Sequence, residues 1–189
     1  FQPFEGPTPE LSVQVTSSRS DARLECDIFF DYGPGMRVSP DSRVITMKCS
    51  ESGAMIAREL EVEAARLGEY LEAGGRRTRV HRELGQDGNI AASQFPLVVK
   101  ELLERGWRVL ADKKPIRRAG EFSISVRSGV DWFDVEGGIQ FESQSASFPE
   151  LLAAAKSGQR TVELGDGSSG MIPENWLESW GLLGVGEKE

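Results

Sequence analysis

The sequence predicts an α+β fold of two small subdomains, in which antiparallel hairpins pack against short helices. Both halves of the chain contain short apolar or alternating runs typical of strands, with apolar residues at helical spacing between them. Residues 113–120 are rich in Lys, Arg, Pro and Gly, a composition that favours a connection between subdomains. We therefore predict an N-terminal α+β subdomain over 1–115 and a β-β-α-β-β-α subdomain over 116–189.

Apolar periodicity predicts the elements of the first subdomain. Strands are expected over residues 11–15, 24–30, 43–48 and 107–111, with a hairpin connection at 17–21 and a break at Tyr32-Gly-Pro-Gly35. Apolar residues from Met55 to Leu71 recur at three- and four-residue steps, which predicts an amphipathic helix over about 51–73. A second helix is expected over 95–105, and residues 76–92 lack periodicity and are expected to form a loop.

Turn and capping signals predict the elements of the second subdomain. Phe122, Ile124 and Val126 share one strand face, and a second strand runs to Phe141, with a hairpin turn expected at Gly137-Gly138. Ser147 and Glu150 have the spacing of a capping box, which predicts a helix over 148–156 that stops at Gly158. A second hairpin is expected from 161–164 and 169–172 around Gly165-Asp-Gly167, followed by a short helix from Pro173 to Gly181.

Length and composition narrow the classes of protein. With 189 residues, 39% hydrophobic and 28% charged, the chain can bury a sizeable core, and no apolar run approaches the ~18 residues of a membrane helix. The net charge of −8 argues against nucleic-acid binding by bulk electrostatics, although a local basic patch is compatible with it. Because the chain starts at Phe1, we expect it to be part of a longer protein. Two cysteines are too few for a disulfide scaffold, which suggests a cytoplasmic setting.

Most catalytic and cofactor motifs are absent or have a simpler explanation. No Gly-x-x-x-x-Gly-Lys-Ser/Thr phosphate loop occurs. Residues 165–170 match Gly-x-Gly-x-x-Gly, but a strand and Pro173 follow where a nucleotide site needs a helix, so a hairpin turn is favoured. Cys26, Cys49 and His81 lack zinc spacing, and the cysteines are interpreted as small buried side chains, with a disulfide across paired strands as the alternative. No metal or cofactor is expected.

Three clusters remain as candidate interaction or metal sites. Asp131, Asp134 and Glu136 could hold Mg²⁺ in a nuclease, although a solvated strand edge is favoured. Two basic clusters are candidate DNA contacts, with solvated loops as the simpler alternative: Arg76, Arg77, Arg79 and Arg82 around His81, and Lys113, Lys114, Arg117 and Arg118. The tryptophans are interpreted as packing residues. Trp176 and Trp180 lie four residues apart and would share one helix face, which would be a docking surface if that face is exposed.

The most specific pattern is a series of segments in the second subdomain. It comprises Gly129-Val-Asp-Trp-Phe-Asp-Val-Glu136, Phe148-Pro-Glu-Leu-Leu152, Val162-Glu-Leu-Gly-Asp-Gly-Ser168 and Ile172-Pro-Glu-Asn-Trp-Leu177. In this order the segments resemble the helicase-associated domain of bacterial SWI/SNF-type ATPases. The resemblance covers residues 121–181, extends loosely over 43–112, and does not include 1–42.

The resemblance implies a non-catalytic accessory or regulatory region of a DNA-dependent ATPase. In that family the segment precedes two RecA-like motor lobes, which carry the ATP and DNA residues and which we expect as partners, together with duplex DNA. None of those catalytic residues can be assigned to this chain. Two alternatives remain open, a stand-alone protein–protein interaction domain and a Mg²⁺-dependent nuclease that uses Asp131, Asp134 and Glu136.

Overall fold

The protein has the predicted α+β fold, with strands in hairpins and three short helices. The structure is a computed structural model that describes residues 6–15, 23–78, 87–128, 133–173 and 176, without the side chains of 122, 124–128 and 133–136. The chain divides into two compact units, Phe1–Lys113 and Lys114–Glu189. None of the helices in the described ranges has the length and apolar content needed to cross a membrane.

The first unit is built on a mixed sheet. Its strands are β1 (Thr8–Val13), β2 (Arg23–Asp31), β3 (Arg37–Val38), β6 (Arg76–Arg77), β7 (Gly88–Ala91) and β8 (Arg108–Ala111), and a separate hairpin contains β4 (Thr46–Lys48) and β5 (Met55–Ala57). The sheet order is β8-β1-β2-β7-β6, with β3 also on β2, and only the β1–β8 pairing is parallel. Alternate residues of β2 are buried, so one face of the sheet forms the core.

Two helices contribute to that core, α1 (Leu60–Glu72) and α2 (Phe95–Glu104). The hydroxyl of Tyr70 on α1 lies 3.2 Å from the thiol of Cys26 on β2, and its ring contacts that of Trp107 at a centroid distance of 6.4 Å. Val98, Val99 and Leu102 are the buried residues of α2. The prediction of α2 is confirmed, since Pro96 lies in its first turn and Gly106, with a φ of 82°, follows its end.

The predicted helix over 51–73 is wrong in its start and in its buried face. Residues up to Ala57 form the β4–β5 hairpin, whose turn contains Gly53 at a φ of 69°, so α1 begins at Leu60. On α1 the buried side chains are Glu63 and Tyr70, whereas Leu60 is 55% exposed. Periodicity therefore located a helix, but the burial of Glu63 depends on a polar partner, Arg58.

The prediction of a loop over residues 76–92 is also wrong. Residues 76–92 contain β6 and β7, and Gly88 permits this pairing because a Cβ there would lie 2.6 Å from the Tyr70 hydroxyl. The predicted connection at 113–120 contains the division between the two units, which falls after Lys113. The residues that follow form β9 (Lys114–Arg117), which belongs to the second unit and pairs in parallel with a later strand of that unit. The predicted hairpin connection at 17–21 lies outside the described residues.

The second unit contains two groups of strands and one described helix. Its further elements are β10 (Phe122–Ser128), β11 (Phe133–Phe141), β12 (Gln144–Ser147), α3 (Phe148–Lys156), β13 (Thr161–Glu163) and β14 (Ser169–Met171). Strands β10-β11-β12 form an antiparallel meander, and β13 pairs antiparallel with β14, which pairs with β9. The core of this unit includes Phe141, Leu151 and Trp176.

The hairpin turn predicted at Gly137-Gly138 is wrong, because both glycines lie inside β11. The chain turns instead between β11 and β12 at Glu142, which has a φ of 53°. Gly138 is required for close packing, since a Cβ there would lie 2.3 Å from the carbonyl oxygen of Ala146 on β12. The two-glycine signal thus marks a close approach of strands here rather than a turn.

The remaining predictions for the second unit are confirmed where the structure describes them. The Glu150 carboxylate accepts the backbone N–H of Ser147 at 2.7 Å, as a capping box requires, and its bonds from Ser147 lower the pKa of Glu150. The chain leaves α3 at Gly158, with a φ of 71°, and β13 and β14 form the second hairpin. The predicted helix from Pro173 lies outside the described residues, apart from Trp176.

Candidate functional site

The first basic cluster is only partly described, and its two described arginines differ in whether their charge is paired with a carboxylate. Arg77 donates to both carboxylate oxygens of Asp41 at 2.7 Å, so its charge is already paired. Arg76, its neighbour on β6, is exposed. Arg79, Arg82 and His81 lie outside the described residues. Arg76 is therefore the described member of this cluster that remains available to an external phosphate.

The second basic cluster also contains both ion-paired and unpaired cations. Lys114 pairs with Glu163 at 3.0 Å, and the Arg117 guanidinium pairs with Asp166 at 2.7 Å and with Glu142. These bonds raise the pKa of Arg117, Asp166 contributing most. Lys113 and Arg118 are exposed and form no ion pair with another described residue. Because a paired cation attracts phosphate less, this cluster offers fewer free charges than its sequence suggests.

The Gly165–Ser168 turn is a compact hydrogen-bonded structure, and its carboxylate is occupied internally. Asp166 accepts the Ser168 backbone N–H at 3.0 Å and its hydroxyl proton, and these bonds, with the ion pair to Arg117, lower the pKa of Asp166 to about 2. Ser168 is buried and also accepts a bond from Arg117 at 2.8 Å. The turn lies between β13 and β14, in agreement with the expected hairpin and not with a nucleotide site.

Trp176 does not form the exposed docking surface considered from the sequence. Its side chain is 5% exposed and packs edge-on against Phe148 at a centroid distance of 6.0 Å. This contact closes the core of the second unit against α3, which explains the burial. Trp180 lies outside the described residues.

The Mg²⁺ ligands considered from the sequence are not among the described side chains, because Asp131 and the side chains of Asp134 and Glu136 lie outside the described part of the chain. Within that part, no three His, Cys, Asp or Glu side chains form a group that could hold a metal ion. The two cysteines are free thiols.

The cysteines have different environments. Cys26 is buried, as its interpretation as a small core side chain requires, and burial raises the pKa of its thiol to about 12. Cys49 is half-buried beside the β4–β5 turn, where the Ser52 hydroxyl and nearby backbone N–H groups lower the pKa of its thiol. Cys49 is therefore the more reactive thiol of the two.

A buried polar network in the first unit was not predicted. The Arg58 guanidinium, 1% exposed, donates its Nε–H to Glu63 Oε1 at 3.0 Å and also bonds backbone carbonyls of residues 39–44. The Tyr32 hydroxyl donates to the same carboxylate at 2.6 Å and accepts the Glu59 N–H at 2.7 Å. Both residues fall within the helix predicted over 51–73, where their burial was not expected. One signal in the sequence could have indicated this pair: Arg58 and Glu63 have opposite charges, lie five residues apart and flank the start of α1.

A concentration of exposed apolar side chains was also not predicted. Seven large apolar side chains are exposed in the described ranges, and all except Leu97 lie between residues 44 and 71. The Arg58 N–H donates to the Ile45 carbonyl at 2.8 Å, which brings the hairpin to within two residues of the start of α1. Leu60 and Leu71 are three helical turns apart and therefore share one side of α1.

Comparison with known proteins gives no further assignment. No family model matches the chain, and no curated protein or solved structure matches it either.

Proposed function

We propose that this chain is a non-catalytic accessory and regulatory region of a bacterial SWI/SNF-like DNA-dependent ATPase. It acts in the cytoplasm by docking on RecA-like motor lobes of the same polypeptide. The observation that carries the proposal is the ordered series of segments over 121–181 that resembles the helicase-associated domain. It is supported by the roles of those segments in the second unit: Leu164, Ser168, Ile172 and Trp176 are buried. The resembling segments therefore contain core and turn residues, and the folding of a domain depends on such residues.

The distribution of surface groups also supports an interaction role. Six of the seven exposed large apolar side chains in the described ranges lie between residues 44 and 71, a concentration that favours a protein contact. The same observation favours the alternative of a stand-alone interaction domain. The two hypotheses differ in whether a motor belongs to the same polypeptide.

The reading frame that encodes residues 1–189 distinguishes these hypotheses. Our proposal requires a phosphate-binding loop motif in the sequence that follows Glu189. Deleting residues 1–189 from that protein should then change its DNA-stimulated ATPase rate while the motor itself remains folded. A stop codon after Glu189, or an ATPase rate unaffected by the deletion, would contradict the proposal.

Contact with duplex DNA is the second part of the proposal, and three exposed cations carry it: Arg76, Lys113 and Arg118. Changing all three to Gln should weaken binding of a labelled duplex in fluorescence anisotropy. The slope of log K against log salt should also become shallower by about one for each phosphate that the variant no longer neutralises. Arg43→Gln is the matched control, because Arg43 is an exposed arginine outside both clusters. Equal binding by the triple variant and the control would exclude these cations as DNA contacts.

A further inference from the structure

We propose that β10 pairs with the β10 strand of a second copy of the chain, so that two three-stranded meanders continue as one antiparallel sheet. Strand β10 is an end strand of its meander, and it pairs with β11 on one side. No strand of the described ranges pairs with its other side, which we call the outer edge. The inference goes beyond the proposed function, because it concerns how two copies of this chain associate.

The hydrogen bonds to β11 identify the residues whose backbone groups point to the outer edge. The Gln140 N–H donates to the Glu121 carbonyl at 3.1 Å, so the backbone groups of Glu121 point toward β11. Successive residues of a strand point their N–H and C=O groups to opposite sides, and β10 stays in register with β11 over its whole length. The residues that point to the outer edge are therefore Phe122, Ile124, Val126 and Ser128.

Strand β10 lacks the features that usually prevent an end strand from pairing with another chain, namely short length, Pro and several charges. It has seven residues, contains no Pro or Lys, and carries one charged residue, Arg127. Other strands at sheet ends are shorter, since β6, β13 and β12 have two, three and four residues. Strand β6 also consists of two arginines, and β13 ends at Glu163. Among these end strands, β10 is the one suited to pairing.

The sequence of β10 is complementary to itself in an antiparallel pairing centred on Ser125. In that register Ile124 lies opposite Val126 of the copy, and Phe122 lies opposite Ser128. Every residue of the outer edge thus meets another residue of an outer edge, as hydrogen-bonded pairs require. The two-fold axis at Ser125 makes the contact isologous, the usual arrangement in dimers.

The charges beside this junction also fit a second copy. Arg127 lies opposite Ser123 of the copy and not opposite another arginine, and Glu121 is its diagonal neighbour on the same side of the sheet. The two-fold axis repeats this pair of opposite charges at both ends of the junction. The net charge of −8 opposes association, but such repulsion is screened beyond about 8 Å at physiological ionic strength.

Amide hydrogen exchange of the 189-residue chain, followed by NMR at physiological ionic strength, tests the pairing residue by residue. The amides of Ile124 and Val126 should exchange more slowly as the protein concentration rises, in step with the dimer fraction from sedimentation. The amides of Ser123 and Ser125 should be protected at every concentration, because they point toward β11.

A proline variant tests whether the outer edge forms the dimer. Val126→Pro removes an N–H that points away from β11, so the meander keeps its bonds while association should weaken more than about tenfold. Thr161→Pro is the matched control, because the Leu164 N–H donates to Ser168 on β14 and the Thr161 N–H therefore points away from β14. The control should dimerise like the wild type, and circular dichroism verifies that both variants are folded.

Three results would overturn the inference. If the amides of Ile124 and Val126 are equally protected at all concentrations, another part of the same chain covers the outer edge. If they exchange fast at all concentrations and the chain sediments as a monomer, the edge has no strand partner. If a dimer forms equally in Val126→Pro and Thr161→Pro, it uses a different surface. None of these results depends on the reading frame beyond Glu189, so this inference and the proposed function can fail separately.

Discussion

Removal of the Glu63 carboxylate should destabilise the first unit strongly. In Glu63→Ala the Arg58 guanidinium, 1% exposed, keeps its backbone carbonyl partners but loses its only carboxylate partner among the described residues. Breaking a buried ion pair on one side typically costs about 3–5 kcal/mol, because the remaining charge is uncompensated. Tyr32 also loses the acceptor of its hydroxyl, a further ~1 kcal/mol. The carbonyls offset part of the cost, so we expect a total of about 3–5 kcal/mol.

Urea denaturation followed by circular dichroism measures this cost, with one transition fitted for each unit. The transition of the second unit should not move. Glu101→Ala is the matched control, since Glu101 is 43% exposed and pairs with Arg105 one helical turn away. Loss of that pair should cost about 0.5 kcal/mol or less. If Glu63→Ala costs no more than Glu101→Ala, the Arg58 network does not stabilise the unit, and our account of α1 burial is wrong.

Three further changes test other parts of the structure. Gly138→Ala should lower the unfolding free energy of the second unit by about 1–3 kcal/mol, because the added Cβ would lie 2.3 Å from the carbonyl oxygen of Ala146. Urea denaturation measures this change, and an unchanged midpoint would contradict the strand pairing. Ser52→Ala should slow alkylation of Cys49 by iodoacetamide at about pH 7, because it removes the hydroxyl that lowers the pKa of the Cys49 thiol. An unchanged rate would show that the Ser52 hydroxyl does not lower this pKa. Asp166 has a folded pKa of about 2 against an ordinary value of 3.8, so its stabilisation is complete above about pH 4 and lost as pH falls through 2. The stability difference between wild type and Asp166→Asn should therefore shrink over that range, and a constant difference would exclude the bonds of Asp166 as its source.

The interaction surfaces were less predictable than the elements that bear them. The sequence located both basic clusters, but it could not show that Arg77 and Arg117 are paired with carboxylates distant in the chain. It identified Trp176 as a notable aromatic residue, yet its burial depends on Phe148, far earlier in the chain. The apolar side of α1 looked like a core face, because periodicity reports which residues share a side and not which side is covered.

Local signals by themselves determined the α+β class, the positions of α2 and α3, the capping of α3 by Glu150 and the β13–β14 hairpin. Each of these depends on residues within a few positions of one another, through helical spacing, a side chain bonding a nearby N–H, or a tight turn. Long-range packing decided the rest. The start of α1, the role of Gly138 and the strand at Lys114–Arg117 depend on partners beyond their own local segments, whose positions are fixed only when the core forms.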